Sequence, residues 1–82
     1  MRPISSDPDQ ALATVLRQLR SERGSSQEDL GHVARVTAGS LSRIELGQAS
    51  PAWITVRNIA AALGVSLVDL AAAVEREEEQ AR

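Results

Sequence analysis

The feature that most constrains this chain is the regular alternation of helix-start and helix-stop signals along it. Side chains that accept hydrogen bonds from the first turn of a helix precede short apolar segments, and glycines follow them. The glycine stops are Gly24, Gly47 and Gly64. This punctuation leaves room for about five short helices, so a compact, all-α, five-helix domain is predicted.

The first helix is predicted to take Asp7 as its N-cap, because Pro8 and Gln10 follow at the positions of a capping box. It should end near Arg23. Its apolar residues recur at three- and four-residue spacing, which places them on one face. These residues are Leu12, Val15, Leu16 and Leu19.

Two very short helices follow, separated by a tight connection. Ser26 with Asp29 predicts the start of the second helix, and Thr37 predicts the start of the third. The residues expected to face the core are Leu30 and Val33 in the second helix and Leu41 and Ile44 in the third.

Pro51 predicts the start of a fourth helix, and Ser66 with Asp69 predicts the start of a fifth. The expected inward residues are Val56, Ile59, Ala60 and Leu63, then Leu67, Leu70, Ala71 and Val74. Residues 7–74 are therefore predicted to form the domain, with a flexible N-terminus at 1–6. Residues 75–82 are expected to be an acidic C-terminal tail or a frayed helix end, because glutamates are unfavourable at a helix C-terminus.

Composition excludes several classes of protein. The chain has no cysteine, and it has neither a signal-type segment nor a long apolar run, so a cytoplasmic protein is expected. The formal net charge is −2, which is not the basic balance typical of a general nucleic-acid binder. Residues 17–57 nevertheless hold six arginines against four acids, which predicts selective binding by a few well-placed cations.

Residues 20–70 resemble the phage-repressor and Cro type of helix-turn-helix transcriptional regulator, also called the Xre family. The matching elements are Ser26-Gln27-Glu28-Asp29-Leu30, Ser42-Arg43-Ile44-Glu45 with Gly47, Pro51, and the segment from Ile59 and Ala60 to Leu67. The resemblance implies a lambda-repressor-like DNA-binding domain whose third helix enters the major groove of double-stranded DNA.

The resemblance also implies which residues meet DNA: Gln27, Arg35, Thr37, Ala38, Gly39, Ser40, Ser42 and Arg43. Two departures stand out. Ala38 and Gly39 lie where family members often carry long side chains, which shifts base reading toward Arg43. Arg35 lies at a turn position that the family usually fills with glycine, because the backbone there is left-handed; a side chain costs about 1 to 2 kcal/mol in that conformation.

Two further sets of residues complete the expectations. Arg20 and Glu45 match a structural salt bridge that joins the first helix to the third. Adjacent apolar residues at the start of the fourth helix cannot both face inward, so Trp53 and Ile54, with Val68 and Ala72, are expected to form a dimer interface. A homodimer would bind a palindromic operator.

No enzymatic or cofactor function is expected. His32 is the single histidine of a chain that has no cysteine, so it is interpreted as an ordinary exposed residue, and a domain this small offers little room for a catalytic pocket. The alternative to a DNA-binding regulator is an antitoxin or adaptor that uses the same scaffold to hold a partner protein. The near-neutral charge and the small side chains of Ala38 and Gly39 favour that alternative slightly.

Overall fold

The computed structural model describes residues 7–81, and these form five α-helices with no strand. The helices are α1 (Gln10–Glu22), α2 (Gln27–Ala34), α3 (Ala38–Glu45), α4 (Trp53–Leu63) and α5 (Leu67–Gln80). The all-α, five-helix prediction is confirmed. The N-terminal segment predicted to be flexible, 1–6, lies outside the described residues.

Four of the five helices begin at a side-chain cap. Oxygens of Asp9, Ser26, Thr37 and Ser66 each accept the backbone N–H three residues further on, at 2.9 to 3.0 Å. Such a cap satisfies one of the unpaired donors in the first turn and stabilises a helix by about 1 kcal/mol. The short helices α2 and α3 therefore have well-defined starts.

Two predicted helix starts were wrong. The N-cap of α1 is Asp9 rather than Asp7, because the carboxylate of Asp9 reaches the Leu12 N–H and the helix begins at Gln10. The N-cap of α4 is Ala52, one residue after Pro51, and it makes no side-chain cap hydrogen bond. α4 is instead the helix with the most apolar sequence, so burial of its inward face holds it in place.

The core lies between α1, α2, α4 and α5, with α3 packed against α1 and α2. Its most completely buried apolar side chains are Leu16, Leu41 and Ile59, each with no exposed surface. Leu30, Ile44, Ala60, Leu63 and Leu70 join the same cluster, as the periodicity predicts.

Two inward assignments were wrong. Val33 is 65% exposed, and Ala71 is also exposed. On α2 the inward positions belong instead to Gly31 and Ala34. The reason is steric: a Cβ on Gly31 would collide with the carbonyl oxygen of Val36, so only the smallest residue fits where the chain turns from α2 to α3.

The α2–α3 connection is left-handed at Arg35, with φ 60° and ψ 44°. Arg35 is the only non-glycine residue with positive φ among the described residues. The Val36 N–H then donates to the Gly31 carbonyl at 2.9 Å, which closes the turn. The chain therefore keeps the left-handed turn and tolerates the strain of a side chain there.

The acidic segment after Val74 continues α5 as far as Gln80. Glu77 and Glu78 are half-buried in this part of the helix. The fraying expected at its C-terminal end stays a prediction. Between residues 7 and 81 no single helix is long and apolar enough to cross a membrane; only α4 and α5 taken together reach that length and composition, and a 101° bend separates them.

Candidate nucleic-acid interface

The orientation of α3 is fixed by what it buries. Leu41, Ile44 and Glu45 are 0%, 6% and 2% exposed, so this side of the helix faces the protein. The opposite side presents Gly39, Ser40 and Arg43 to solvent. Ala38 and Ser42, two of the residues expected to meet DNA, are half-buried at the edges of that face. A helix anchored on one side and exposed on the other has the form needed to enter a groove.

The outward face of α3 is nearly smooth at its N-terminal end. A Cβ built on Gly39 would meet no atom within 4 Å, and the Ala38 side chain is only a methyl group. Another surface can therefore approach the backbone of α3 closely at these two positions.

Arg43 is the only cation on α3 and lies on its exposed face. Together with Ser40 it lines a shallow depression of about 220 Å³ between α3 and the loop that leads to α4. Ser50 and Thr55 line the opposite side of the same depression. The structure thus places a guanidinium and several hydroxyl groups side by side, a combination suited to phosphate oxygens or base edges.

The remaining predicted contact residues lie at the start of α2 and in the connection from α2 to α3. Thr37 is exposed, and its Oγ1 accepts the Ser40 N–H as the N-cap of α3. Arg35 is exposed in the connection between the two helices. Gln27 differs from expectation: it is half-buried, and its Nε2 donates to Glu45 Oε1 at 3.1 Å, so its side chain points toward α3 rather than away from the protein.

Glu45 is a buried carboxylate at the centre of a polar network. Arg20 Nε donates to Glu45 Oε2 at 2.7 Å and Arg20 Nη2 donates to Glu45 Oε1 at 2.9 Å, which makes a two-pronged ion pair. Arg20 Nη1 also donates to the Ser25 carbonyl at 2.9 Å. The hydrogen bond to Glu45 is the main reason that the pKa of Arg20 is raised, and burial opposes it. Through this network α1, α2 and α3 are tied together.

Two residues that sequence reasoning missed also hold α3. Arg17 Nη1 donates to the main-chain carbonyl of Glu45 at 3.0 Å, and Gln10 Nε2 donates to the carbonyl of Gly47 at 3.0 Å. The signal was present in the spacing: Gln10, Arg17 and Arg20 are seven and three residues apart, which places them on one stripe of α1.

The predicted dimer residues are exposed on α4 and α5. Trp53, Ile54 and Val68 are 64%, 58% and 77% exposed, and Ala72 is exposed as well. A depression of about 320 Å³ beside Trp53 and another beside Val68 and Ala72 are both lined by Ala71. We refer to these four exposed residues of α4 and α5, Trp53, Ile54, Val68 and Ala72, as the α4–α5 patch.

Metal-ligand geometry is absent from the part of the chain that the structure describes. No three His, Cys, Asp or Glu side chains between residues 7 and 81 are arranged to hold a metal ion. His32 is exposed on α2.

Comparisons with protein families and with individual relatives both indicate a helix-turn-helix protein. Residues 11–73 match a family described as a helix-turn-helix domain. The HTH-type transcriptional regulator DdrOP3 of Deinococcus deserti is 35% identical over 64 residues, which cover 78% of this chain and 50% of the relative. The chain thus spans about half the length of this curated relative.

Solved structures with the same arrangement of helices include two bacterial regulators. The clp gene regulator ClgR from Corynebacterium glutamicum is 27% identical with a TM-score of 0.82, covering 99% of this chain and 84% of that one. The restriction-modification controller protein C.AhdI from Aeromonas hydrophila is 26% identical with a TM-score of 0.72, covering 74% and 92% of the two chains.

Proposed function

Because this chain belongs to the Xre-like helix-turn-helix family of DNA-binding transcriptional regulators, we propose that it binds a specific palindromic operator as a homodimer, with α3 in the major groove. The observation that carries the proposal is the exposure of Arg43 on a helix whose opposite side is buried. An α-helix fits the major groove, where each base pair presents a distinct set of donors and acceptors.

Arg43 is proposed to read sequence. An arginine donates two parallel hydrogen bonds to guanine O6 and N7, a contact that discriminates against other bases by about 1 to 3 kcal/mol. Ser40 and Ser42 supply shorter donors beside it, and Ala38 and Gly39 let the helix approach closely, so the shape of the DNA contributes to selectivity.

Phosphate contacts are proposed at the edges of α3. Arg35 and Thr37 lie at its N-terminal side, and the backbone N–H of Gln27 lies at the start of α2, where a helix favours anions. The Glu45 carboxylate does not oppose this role, because it is 2% exposed and paired with Arg20.

A second copy of the chain is proposed to cover the α4–α5 patch. Trp53, Ile54 and Val68 leave large apolar side chains more than half exposed in one region, which is typical of an association surface. A two-fold dimer places two α3 helices about 34 Å apart, one DNA turn, and therefore matches a palindrome. The cytoplasmic location expected from the sequence goes with this role and stays a prediction.

Selection of bound fragments from a random pool of double-stranded DNA, followed by titration, tests the DNA-binding proposal. Arg43→Ala should weaken operator binding by about 1 to 3 kcal/mol, or roughly 5- to 150-fold, and relax the preference at one base pair in each half-site. Arg23→Ala is the matched control, because Arg23 is exposed at the end of α1 and its Nη1 donates to the Leu19 carbonyl of the same helix. Equal affinity of the Arg43 variant and the control would contradict the assignment.

Light scattering on the purified protein tests the dimer. Val68→Asp should convert the dimer to a monomer, because a charge in the α4–α5 patch would be buried without a partner. Val33→Asp is the control, since Val33 is similarly exposed but lies on α2. Dimers that persist in Val68→Asp would exclude the α4–α5 patch as the dimer interface.

The antitoxin or adaptor alternative makes a different prediction. It would be favoured if the chain selected no DNA and formed a stoichiometric complex with a second protein.

A further inference from the structure

We propose that Gln10 and Arg17 are positioning residues that set the angle at which α3 meets DNA, although neither contacts DNA itself. The inference rests on the proposed function, since it concerns the pose of the helix that is proposed to enter the groove. It adds two residues, both on α1, that the DNA-contact face does not include.

Both side chains act on the same end of α3. Arg17 Nη1 donates to the Glu45 carbonyl at 3.0 Å, and Glu45 is the last residue of α3. Gln10 Nε2 donates to the Gly47 carbonyl at 3.0 Å, two residues further on. The carbonyls at a helix C-terminus have no partner within the helix and carry its negative end, so a cation and an amide donor are well matched to them.

Gln10 and Gly47 are also in direct steric contact. Gly47 has φ +71°, and a Cβ at this position would collide with the side-chain amide of Gln10. The glycine therefore serves two purposes, a left-handed backbone and space for the amide. The hydrogen bond then holds the start of α1 beside the end of α3.

The two residues differ from Arg20 in what they contribute to stability. Arg20 is partly buried and neutralises the buried Glu45 carboxylate, so its loss would disturb the whole fold. Gln10 and Arg17 are exposed, and their hydrogen bonds are to main-chain carbonyls. Removing them leaves the core intact and loosens only the attachment of α3, which lowers the fraction of molecules that hold α3 at the productive angle.

The experiment compares Arg17→Met and Gln10→Met with the wild-type chain, using the operator recovered by DNA selection and a version with one altered base pair in each half-site. Methionine keeps an unbranched side chain of helix-forming type and removes the donors. Gln18→Met, at an exposed position of α1, and Arg23→Met, at the exposed residue that caps its C-terminus, are the matched controls. Loss of one hydrogen bond that holds the pose should weaken operator binding by about 3- to 10-fold and reduce the discrimination between the two DNAs.

The dependence of affinity on salt separates positioning from direct phosphate contact. A residue that touches phosphate contributes about 0.9 to the slope of log K against log salt, whereas a positioning residue leaves the slope unchanged. The proposal expects the wild-type slope in Arg17→Met and partial recovery of affinity in Arg17→Lys, which keeps a cationic donor. A slope reduced by about 0.9 would identify Arg17 as a phosphate contact and overturn the proposal.

Amide hydrogen exchange on the DNA-free chain provides a second measurement. Exchange of the Leu46, Gly47 and Gln48 N–H groups should accelerate in Gln10→Met and Arg17→Met and not in the two controls. Operator binding and exchange equal to those of the wild type would overturn the proposal while leaving the proposed function intact. A wild-type chain that selects no DNA would instead overturn the proposed function, and this inference with it.

Discussion

Replacing Glu45 with alanine should destabilise the protein more than any other substitution of a charged residue in α3. The carboxylate is 2% exposed and accepts two hydrogen bonds from Arg20 and one from Gln27. Its removal leaves the Arg20 guanidinium, whose side chain is 18% exposed, without its counter-charge. Breaking a buried ion pair from one side costs about 3 to 5 kcal/mol. Because a domain of this length has a free energy of unfolding of roughly 4 to 12 kcal/mol, the variant should lose at least about a quarter of its stability.

Urea denaturation followed by far-UV circular dichroism measures the effect. With a slope of about 1 kcal/mol per molar urea for a small domain, a loss of 3 kcal/mol moves the midpoint down by roughly 3 M. Glu22→Ala is the control, since Glu22 is exposed on α1. The double variant Arg20→Met with Glu45→Leu should recover much of the loss, because it leaves no buried charge unpaired.

The deficit of Glu45→Ala should also be independent of pH between about pH 7 and 10. The pKa of Arg20 is raised, chiefly by its hydrogen bond to Glu45. A raised pKa contributes stability that is fully present below the unfolded-state value and is lost only as the pH rises through the folded-state value, far above this range. A loss below 1 kcal/mol, or a deficit that changes across this pH range, would refute the assignment of Glu45 as the centre of the network.

Three further substitutions test the backbone around α2 and α3. Arg35→Gly should stabilise the protein by about 0.5 to 1 kcal/mol, because relief of the left-handed strain outweighs the greater flexibility of glycine in the unfolded chain. Urea denaturation measures this change. A loss of stability would show that the Arg35 side chain stabilises the turn. Gly31→Ala should lower the free energy of unfolding by about 1 to 3 kcal/mol, since its Cβ collides with the Val36 carbonyl. Gly39→Ala is the matched control, because a Cβ at this helical position would meet no other atom, and it should raise the free energy of unfolding by roughly 0.5 to 1 kcal/mol. Thermal unfolding compares the two variants. Equal effects of the two alanines would contradict the close approach of the Val36 carbonyl to Gly31.

The helix starts were largely predictable because a cap is a local interaction. Ser26, Thr37 and Ser66 each accept the N–H of the residue three positions ahead, so the cap depends only on residues that are close in sequence. The start of α1 was misplaced because Asp7 and Asp9 are both suitable N-caps, and in the structure the Asp9 carboxylate accepts the Leu12 N–H at the start of the helix.

The inward face of α2 was not predictable from its sequence. A helix of eight residues gives too few apolar positions to define a face, and Val33 competed with Gly31 and Ala34 for the inward side. The choice depends on the turn that follows, where the Val36 carbonyl lies against Gly31 and excludes a larger side chain.

The residues exposed on α3 were predictable, because the resemblance indicates which positions meet DNA. The hydrogen-bond partners of long side chains were not. The outward exposure of Arg43 follows from the burial of Leu41 and Ile44, and it agrees with expectation. The spacing of Arg17 and Arg20 places both on one stripe of α1, but it does not indicate that the Arg17 guanidinium reaches the Glu45 carbonyl. A side chain with several rotatable bonds finds its acceptor only once the helices have docked.

The open space around Gly39 bears on how the DNA preference of this chain could change, if α3 is placed in the groove as proposed. Because nothing lies within 4 Å of the missing Cβ, a glutamine, asparagine or arginine can be installed there without rearranging its neighbours. In the proposed complex such a side chain would contact a further base pair, so substitution of this one residue would alter the operator preference without a change in the core.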